Sequence, residues 1–219
     1  MVVASNAAKV CAMEGRRQYH SRVREASAQR TRELIRDAAT ALFIRDGYVK
    51  ATVKQIAASA GVADRTVFTA FPGGKLEIFE AALAAALDAE EVPLGAPNLA
   101  SDPDDVRRIV SQIVAQGIGL LERAGALMMV AVESSGADAD MRRLSEESSD
   151  QSAVNAMSIA EGLSAHGLLR PEISLEKAAG ILAAFVSPQL HQQLRRVSGW
   201  DVDAYRGWLE FNIRQNLMY

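Results

Sequence analysis

A single cysteine, Cys11, stands in the whole chain. That excludes an internal disulfide and a cysteine-built metal cluster, and it fits a reducing compartment, read here as cytoplasmic. The three histidines, His20, His166 and His191, are scattered with no pair at ligand spacing, so no metal site and no cofactor is expected. Aromatic residues make up 5% of the chain, too few for a typical sheet protein, while alanine is abundant; the balance favours an all-α build with close helix contacts. Apolar runs are short. Those around residues 124–132 and 178–186 fall well below the roughly 18–20 residues of a membrane span, so no membrane partner is expected. The N-terminal stretch lacks the apolar core of a secretory signal. Ser134-Ser135-Gly136 is no Gly-x-Ser-x-Gly elbow, and no glycine loop for phosphate precedes a helix, which makes an enzyme the weaker class.

What the chain does have is charge unevenly placed. Residues 1–75 carry 13 Lys/Arg against 6 Asp/Glu, and the remainder carries 11 against 21. A basic head on an acidic body suits nucleic-acid binding, where neutralising phosphates drives affinity; chance asymmetry is the bland alternative. The first 27 residues hold Lys9, Arg16, Arg17, Arg22 and Arg24 without apolar periodicity and read as a flexible basic arm, either solvated or reaching into a minor groove.

The stretch 52–71, TVKQIAASAGVADRTVFTAF, has the spacing of a helix-turn-helix. Thr52 is placed to cap the first helix, with Gln55 completing a capping box. Val53, Ile56, Ala57 and Ala60 form one apolar face, Gly61 supplies the turn, and Val62 and Val67 close the core between the helices. The second helix, 64–70, keeps a free face carrying Arg65, Thr66 and Thr69. Before it, Leu34, Ile35, Ala38, Leu42 and Phe43 mark a helix over 28–46 ended by Gly47, with Tyr48 as the closing contact. After it, Pro72-Gly73-Gly74 breaks the chain and Lys75 opens a fourth helix to about residue 88, striped by Leu76, Phe79, Leu83 and Leu87.

Residues 30–83 resemble, element by element, the N-terminal DNA-binding domain of the TetR (tetracycline-repressor-like) family: ATALFIRDGY at 39–48, the Thr52–Gly61 helix, Arg65-Thr66-Val67-Phe68, and Phe71-Pro72 followed by Lys75. The resemblance implies a homodimeric, ligand-responsive repressor, with a helical C-terminal domain that binds a small-molecule effector and dimerises. It also implies that Thr52, Lys54 and Lys75 touch phosphate, and that Arg65, Thr66, Phe68 and Thr69 lie on or beside the recognition helix. The chemistry is coherent, because helix N-termini and lysines bind phosphate and arginine reads guanine bidentately. The chain departs from the pattern at three places. Phe68 replaces the usual Tyr, one extra residue precedes Lys75, and Asp64 sits where a neutral or basic residue is common.

The expected domains are the arm 1–27, the helix-turn-helix domain 28–75, and the effector and dimerisation domain 76–219. Residues 92–103 read as a loop. Helices follow over 102–123, broken by Gly125 before a buried 127–132, then 141–166 ended by Gly167, then 172–197 kinked or restarted at Pro188, and a last helix capped by Asp201. Gly117, Met128, Met129, Glu133, Met157 and Phe185 are candidates for an effector pocket, or else ordinary core. Tyr205, Trp208 and Leu209 are candidates for the dimer interface, or else seal the monomer core. Against the repressor stands the alternative of a helical sensor or scaffold whose helix-turn-helix no longer binds DNA, motivated by Phe68 and Asp64.

Overall fold

The computed structural model describes residues 3–88 and 106–218, with side chains from Arg24 to Asp88 and from Arg108 to Met218. The expected loop at 92–103 and the helix start at Asp102 lie outside the described residues. The described residues are helical throughout, apart from turns and one isolated antiparallel bridge between Leu169 and Met218. The chain divides into two compact units, residues 1–42 with 51–82, and residues 43–50 with 83–219.

In the N-terminal unit, α1 (Val3–Asp46) extends much further back than a helix over 28–46, taking in the residues read as an arm. Alanine and arginine, both good helix formers, are the commonest residues of this stretch, and Gly15 is its one glycine. The buried stripe of α1 is Ile35, Ala39 and Leu42, whereas Leu34 is 50% exposed. Both Leu34 and Ile35 fit a helical period, and the packing partners decide which one turns inward. Those partners are Ile56 and Ala57 on α2 (Val53–Ala60), Val67 on α3 (Asp64–Ala70), and Ile78, Phe79 and Ala82 on α4 (Gly74–Leu87), all buried. Leu87, expected on the inner stripe of α4, is instead exposed.

The C-terminal unit is built on α5 (Val106–Ser134) and α6 (Ala139–Ala165), with α7 (Leu175–Phe185), a short α8 (Pro188–His191) that continues as a π-helical turn over Gln192–Val197, and α9 (Val202–Leu217). Its core joins Ile109, Val110, Ile113 and Val114 of α5 to Ala160 and Leu163 of α6, Ala178 and Leu182 of α7, and Tyr205, Leu209, Ile213 and Leu217 of α9.

One expectation is corrected here. Gly125 does not break α5, which runs on to Ser134: one glycine costs a helix only about 1 kcal/mol, and the buried residues on either side of it hold the helix in place. Since α5 runs on through Gly125, its Arg108–Ser134 portion becomes long and apolar enough to cross a membrane by length and composition. Half of its most apolar window is buried inside the protein, as in the core helix of a globular fold. Of the two outcomes expected at Pro188, the helix restarts. Val186 ends α7, and Ser187 accepts from the Leu190 amide to start α8 afresh.

Candidate nucleic-acid interface and ligand cavities

The helix-turn-helix is assembled by local chemistry. Thr52 Oγ1 accepts from the Gln55 amide at 3.2 Å, and Gln55 Oε1 accepts from the Thr52 amide at 2.9 Å, so the capping box is closed in both directions. At the other end of α2, Gly61 takes φ +67, a left-handed conformation that costs residues with a Cβ about 1–2 kcal/mol. Its amide and that of Val62 return to Ala58 and Ala57 carbonyls, which turns the chain into α3. Val67 anchors α3 with no exposed surface, and this fixes which face stays outside.

That outer face carries Arg65, Phe68 and Thr69, with Thr66 half-buried at its edge. Thr69 Oγ1 donates to the Arg65 carbonyl at 2.9 Å, which holds its rotamer and leaves its oxygen able to accept. Phe68 is 52% exposed, and its ring reaches over Gly74 at the start of α4. Thr52 and Lys54 are exposed at the N-terminal turn of α2, and Lys75 is half-buried in the first turn of α4. The extra residue before Lys75 is absorbed in a tight turn, in which the Gly74 amide bonds to the Phe71 carbonyl at 3.0 Å and the Gly73 amide to Glu77 Oε2 at 2.8 Å. The sequence pattern did not reveal Arg32. This α1 side chain lies 4.1 Å over the Phe71 ring, bonds the Ala70 carbonyl at the C-terminus of α3, and pairs with Glu77 of α4 at 3.3 Å. It ties three helices together at the base of the recognition helix.

The C-terminal unit contains cavities of different character. One, of about 260 Å³, lies between Leu83 of α4, the Met128–Val132 stretch of α5, the Leu144–Ala153 face of α6 and the α7–α8 junction. A narrower recess of about 50 Å³ shares Ser152, Ala183 and Val186 with it and reaches Gly117. A third, of about 270 Å³, is bordered by Ile44, Gly125, Met129, Glu133, His191, Gln192 and Arg196. The six pocket candidates are therefore not brought together. Met128 lines the first cavity, Gly117 the recess, and Met129 and Glu133 the third, while Met157 and Phe185 pack against the main core. Beside the third cavity, His191 Nε2 is 2.9 Å from Glu122 Oε1, and Arg195 Nε donates to the same oxygen at 2.6 Å. The Arg195 hydrogen bond, aided by His191, holds the Glu122 carboxyl down at about 2 against the opposing effect of burial. Burial pushes the Tyr205 phenol up to about 12.

The family described as bacterial regulatory proteins of the tetR family matches residues 35–82, which span α2, α3 and the parts of α1 and α4 that pack on them. Residues 35–82 carry the DNA-binding domain of the TetR family. The coarse function of the chain is that of a DNA-binding transcriptional regulator. No curated protein matches the chain in sequence. The fold recurs in solved structures. A proposed transcriptional regulator from Saccharomonospora viridis, in complex with choline, superposes with a TM-score of 0.66 at 22% identity, over 87% of this chain and 99% of that one. NalD, the secondary repressor of the MexAB-OprM multidrug efflux pump in Pseudomonas aeruginosa, gives 0.58 at 21% identity over 87% and 97%. The SmeT–triclosan complex gives 0.62 at 21% identity over 86% and 92%. At these identities the likeness establishes the fold.

Burial separates the three candidates on α9. Tyr205 and Leu209 have 0% and 1% of their surface exposed and belong to the core of the single chain. Trp208 is half-buried, edge-on to Phe185 and Trp200 at 5.8 and 6.1 Å. The residues at 205, 209, 213 and 217 follow one helical stripe that α5 and α7 cover, and Phe211 on another face of α9 is 54% exposed. Phe211 was legible as apolar in the sequence, but nothing local distinguished its face from the stripe of Tyr205.

Proposed function

We propose that the protein is a cytoplasmic, ligand-responsive repressor that binds a near-palindromic operator as a homodimer and is released by a small-molecule effector. The observation that carries the reading is the outer face of α3. Val67 locks the helix in place while Arg65, Phe68 and Thr69 stay exposed, on a unit whose sequence is basic. In this reading Arg65 reads a base edge, and Thr66 and Thr69 support it. Phe68 packs against sugar or a thymine methyl, and Thr52, Lys54 and Lys75 bind phosphate.

The homodimer reading draws on the outer faces of α7 and α9. Gly180 and Ala184 on one, and Ala204, Gly207 and Phe211 on the other, are exposed, and both glycines face open space. Small residues beside one large ring let helices of two subunits approach closely around an anchor. α4 is one continuous helix that begins beside Phe68 and passes into the effector unit at Leu83. An effector that displaces its C-terminal half would alter the separation of the two recognition helices, and the duplex fixes the spacing they must match. Relatives in fold seen with choline or triclosan are in keeping with such a ligand-binding unit.

Selection from random duplex DNA tests the reading. The expected result is an enriched near-palindrome with half-sites about one helical turn apart, bound less tightly as salt rises. Absence of enrichment would favour a scaffold that has lost DNA binding. On the selected duplex, Arg65→Ala is expected to lose about 1–3 kcal/mol of discrimination with the dimer intact. Unchanged affinity in an anisotropy titration rejects Arg65 as the reader.

A further inference from the structure

α6 breaks its own pattern. Its inward stripe runs Met141, Ser145, Ser148, Ser152, Ala156, Ala160, Leu163 in steps of three and four, and the two ends of this stripe are buried in apolar core. In the middle, where a packed helix would continue with leucine or alanine, stand serines, with Ser149 beside them on the next turn. This is the stretch of α6 that borders the 260 Å³ cavity. Across the cavity from the hydroxyls are Met128, Ala131, Val132 and Val186, and no Asp, Glu, Lys, Arg or His is among the described residues that line it. Ser152 Oγ is committed to the Ser148 carbonyl at 2.9 Å. Ser145, Ser148 and Ser149 make no hydrogen bond through their side chains to any described residue. Neighbouring hydroxyls free to donate and accept thus line one wall and α5 offers an apolar one, with uncharged Ser187 and Gln189 at the α7–α8 junction between them.

We propose that this cavity takes an uncharged amphipathic ligand, an alcohol, phenol or carbonyl compound, whose oxygen is held by Ser145, Ser148 and Ser149 and whose apolar body lies against Met128 and Val132. The proposal rests on the reading of the C-terminal unit as the effector-binding part of the protein and gives that effector a chemical class. The argument is one of desolvation. A carboxylate or ammonium entering this space leaves water without meeting an opposite charge, whereas a neutral oxygen exchanges water for serine hydroxyls. The other large cavity has the opposite character, with Glu133, Arg196 and His191 at its border. A volume of about 260 Å³ is near the lower end of ligand pockets, which run from roughly 300 to 1,000 Å³, so the ligand is small.

Three probes on one skeleton decide the matter: 4-phenylphenol, biphenyl-4-carboxylate and 4-phenylbenzylammonium, each titrated calorimetrically into the full chain at neutral pH. The phenol is expected to bind at least about tenfold more tightly than either ion. The triple variant Ser145→Ala, Ser148→Ala, Ser149→Ala is expected to bind the phenol at least about tenfold more weakly. It should melt no lower than the parent, since alanine is the better helix former. An ion that binds as well as the phenol, a triple variant that binds it undiminished, or no binding by any probe overturns the proposal. The effector reading fails separately: phenol that binds as expected yet leaves affinity for the selected duplex unchanged keeps the ligand class and removes its regulatory role.

Discussion

Glu122 gathers Arg195 and His191 on one oxygen, and the consequence is a dependence on acid. Its carboxyl, ordinarily near 4.5, is held at about 2, first by the Arg195 hydrogen bond. A carboxyl whose folded value is depressed contributes stability that is fully present above the unfolded value and is lost as pH falls toward the folded one. The window is therefore about pH 4.5 down to 2. In Glu122→Gln the melting temperature is expected to be lower at neutral pH, and its further decline across that window shallower than in the parent. Equal slopes in thermal melts of the two proteins would show that Arg195 and His191 do not hold this charge. Single residues also carry the departures in the DNA-binding unit. Phe68 projects its ring without a hydroxyl, so that edge of the recognition face offers packing and no phosphate donor.

Among the elements, α5 and the residue that ends α7, Val186, approach closely at Gly117. A Cβ on Gly117 would stand 2.5 Å from Val186 Cγ1 and 3.2 Å from Cγ2, at the wall shared by the main cavity and its recess. Gly117→Ala gains helix propensity yet must push Val186 aside. Overpacking of this kind costs about 1–3 kcal/mol, and a net loss of stability in denaturant melts is the expected outcome. A variant as stable as the parent would mean that Val186 moves freely. Elements governed by local chemistry were readable beforehand. The capping box Thr52–Gln55, the turn at Gly61 and the limits of α3 each depend on residues within one or two turns. Gly125 was misread because its local cost to the helix is outweighed by the burial of Leu121, Ala124, Leu127 and Met128 around it, which the local sequence does not show. The serine wall of α6 has a spacing visible in the sequence, but it becomes a wall only opposite Met128 and Val132.

For the molecule as a whole, the proposed dimer decides whether one helix-turn-helix can become an operator clamp. Phe211 is exposed on α9 amid small residues, and Phe211→Glu would place a charge where the proposed subunits meet. Sedimentation analysis is expected to show monomers for this variant, with melting behaviour largely retained because Phe211 lies outside the core, and with operator affinity sharply reduced. A variant that stays dimeric moves the interface elsewhere.

The sequence by itself determined the all-helical class, the helix-turn-helix with its caps and turn, and the family, because each of these is written in short-range periodicity and in residues with special backbone or capping chemistry. Tertiary structure decided which of two neighbouring apolar residues faces inward, as with Ile35 over Leu34. It assigned Tyr205 and Leu209 to the monomer core and left Phe211 outside. It also set the α6 serines against an apolar wall. A helical period states that a face exists, and only the partner that covers it, or fails to, gives that face a role.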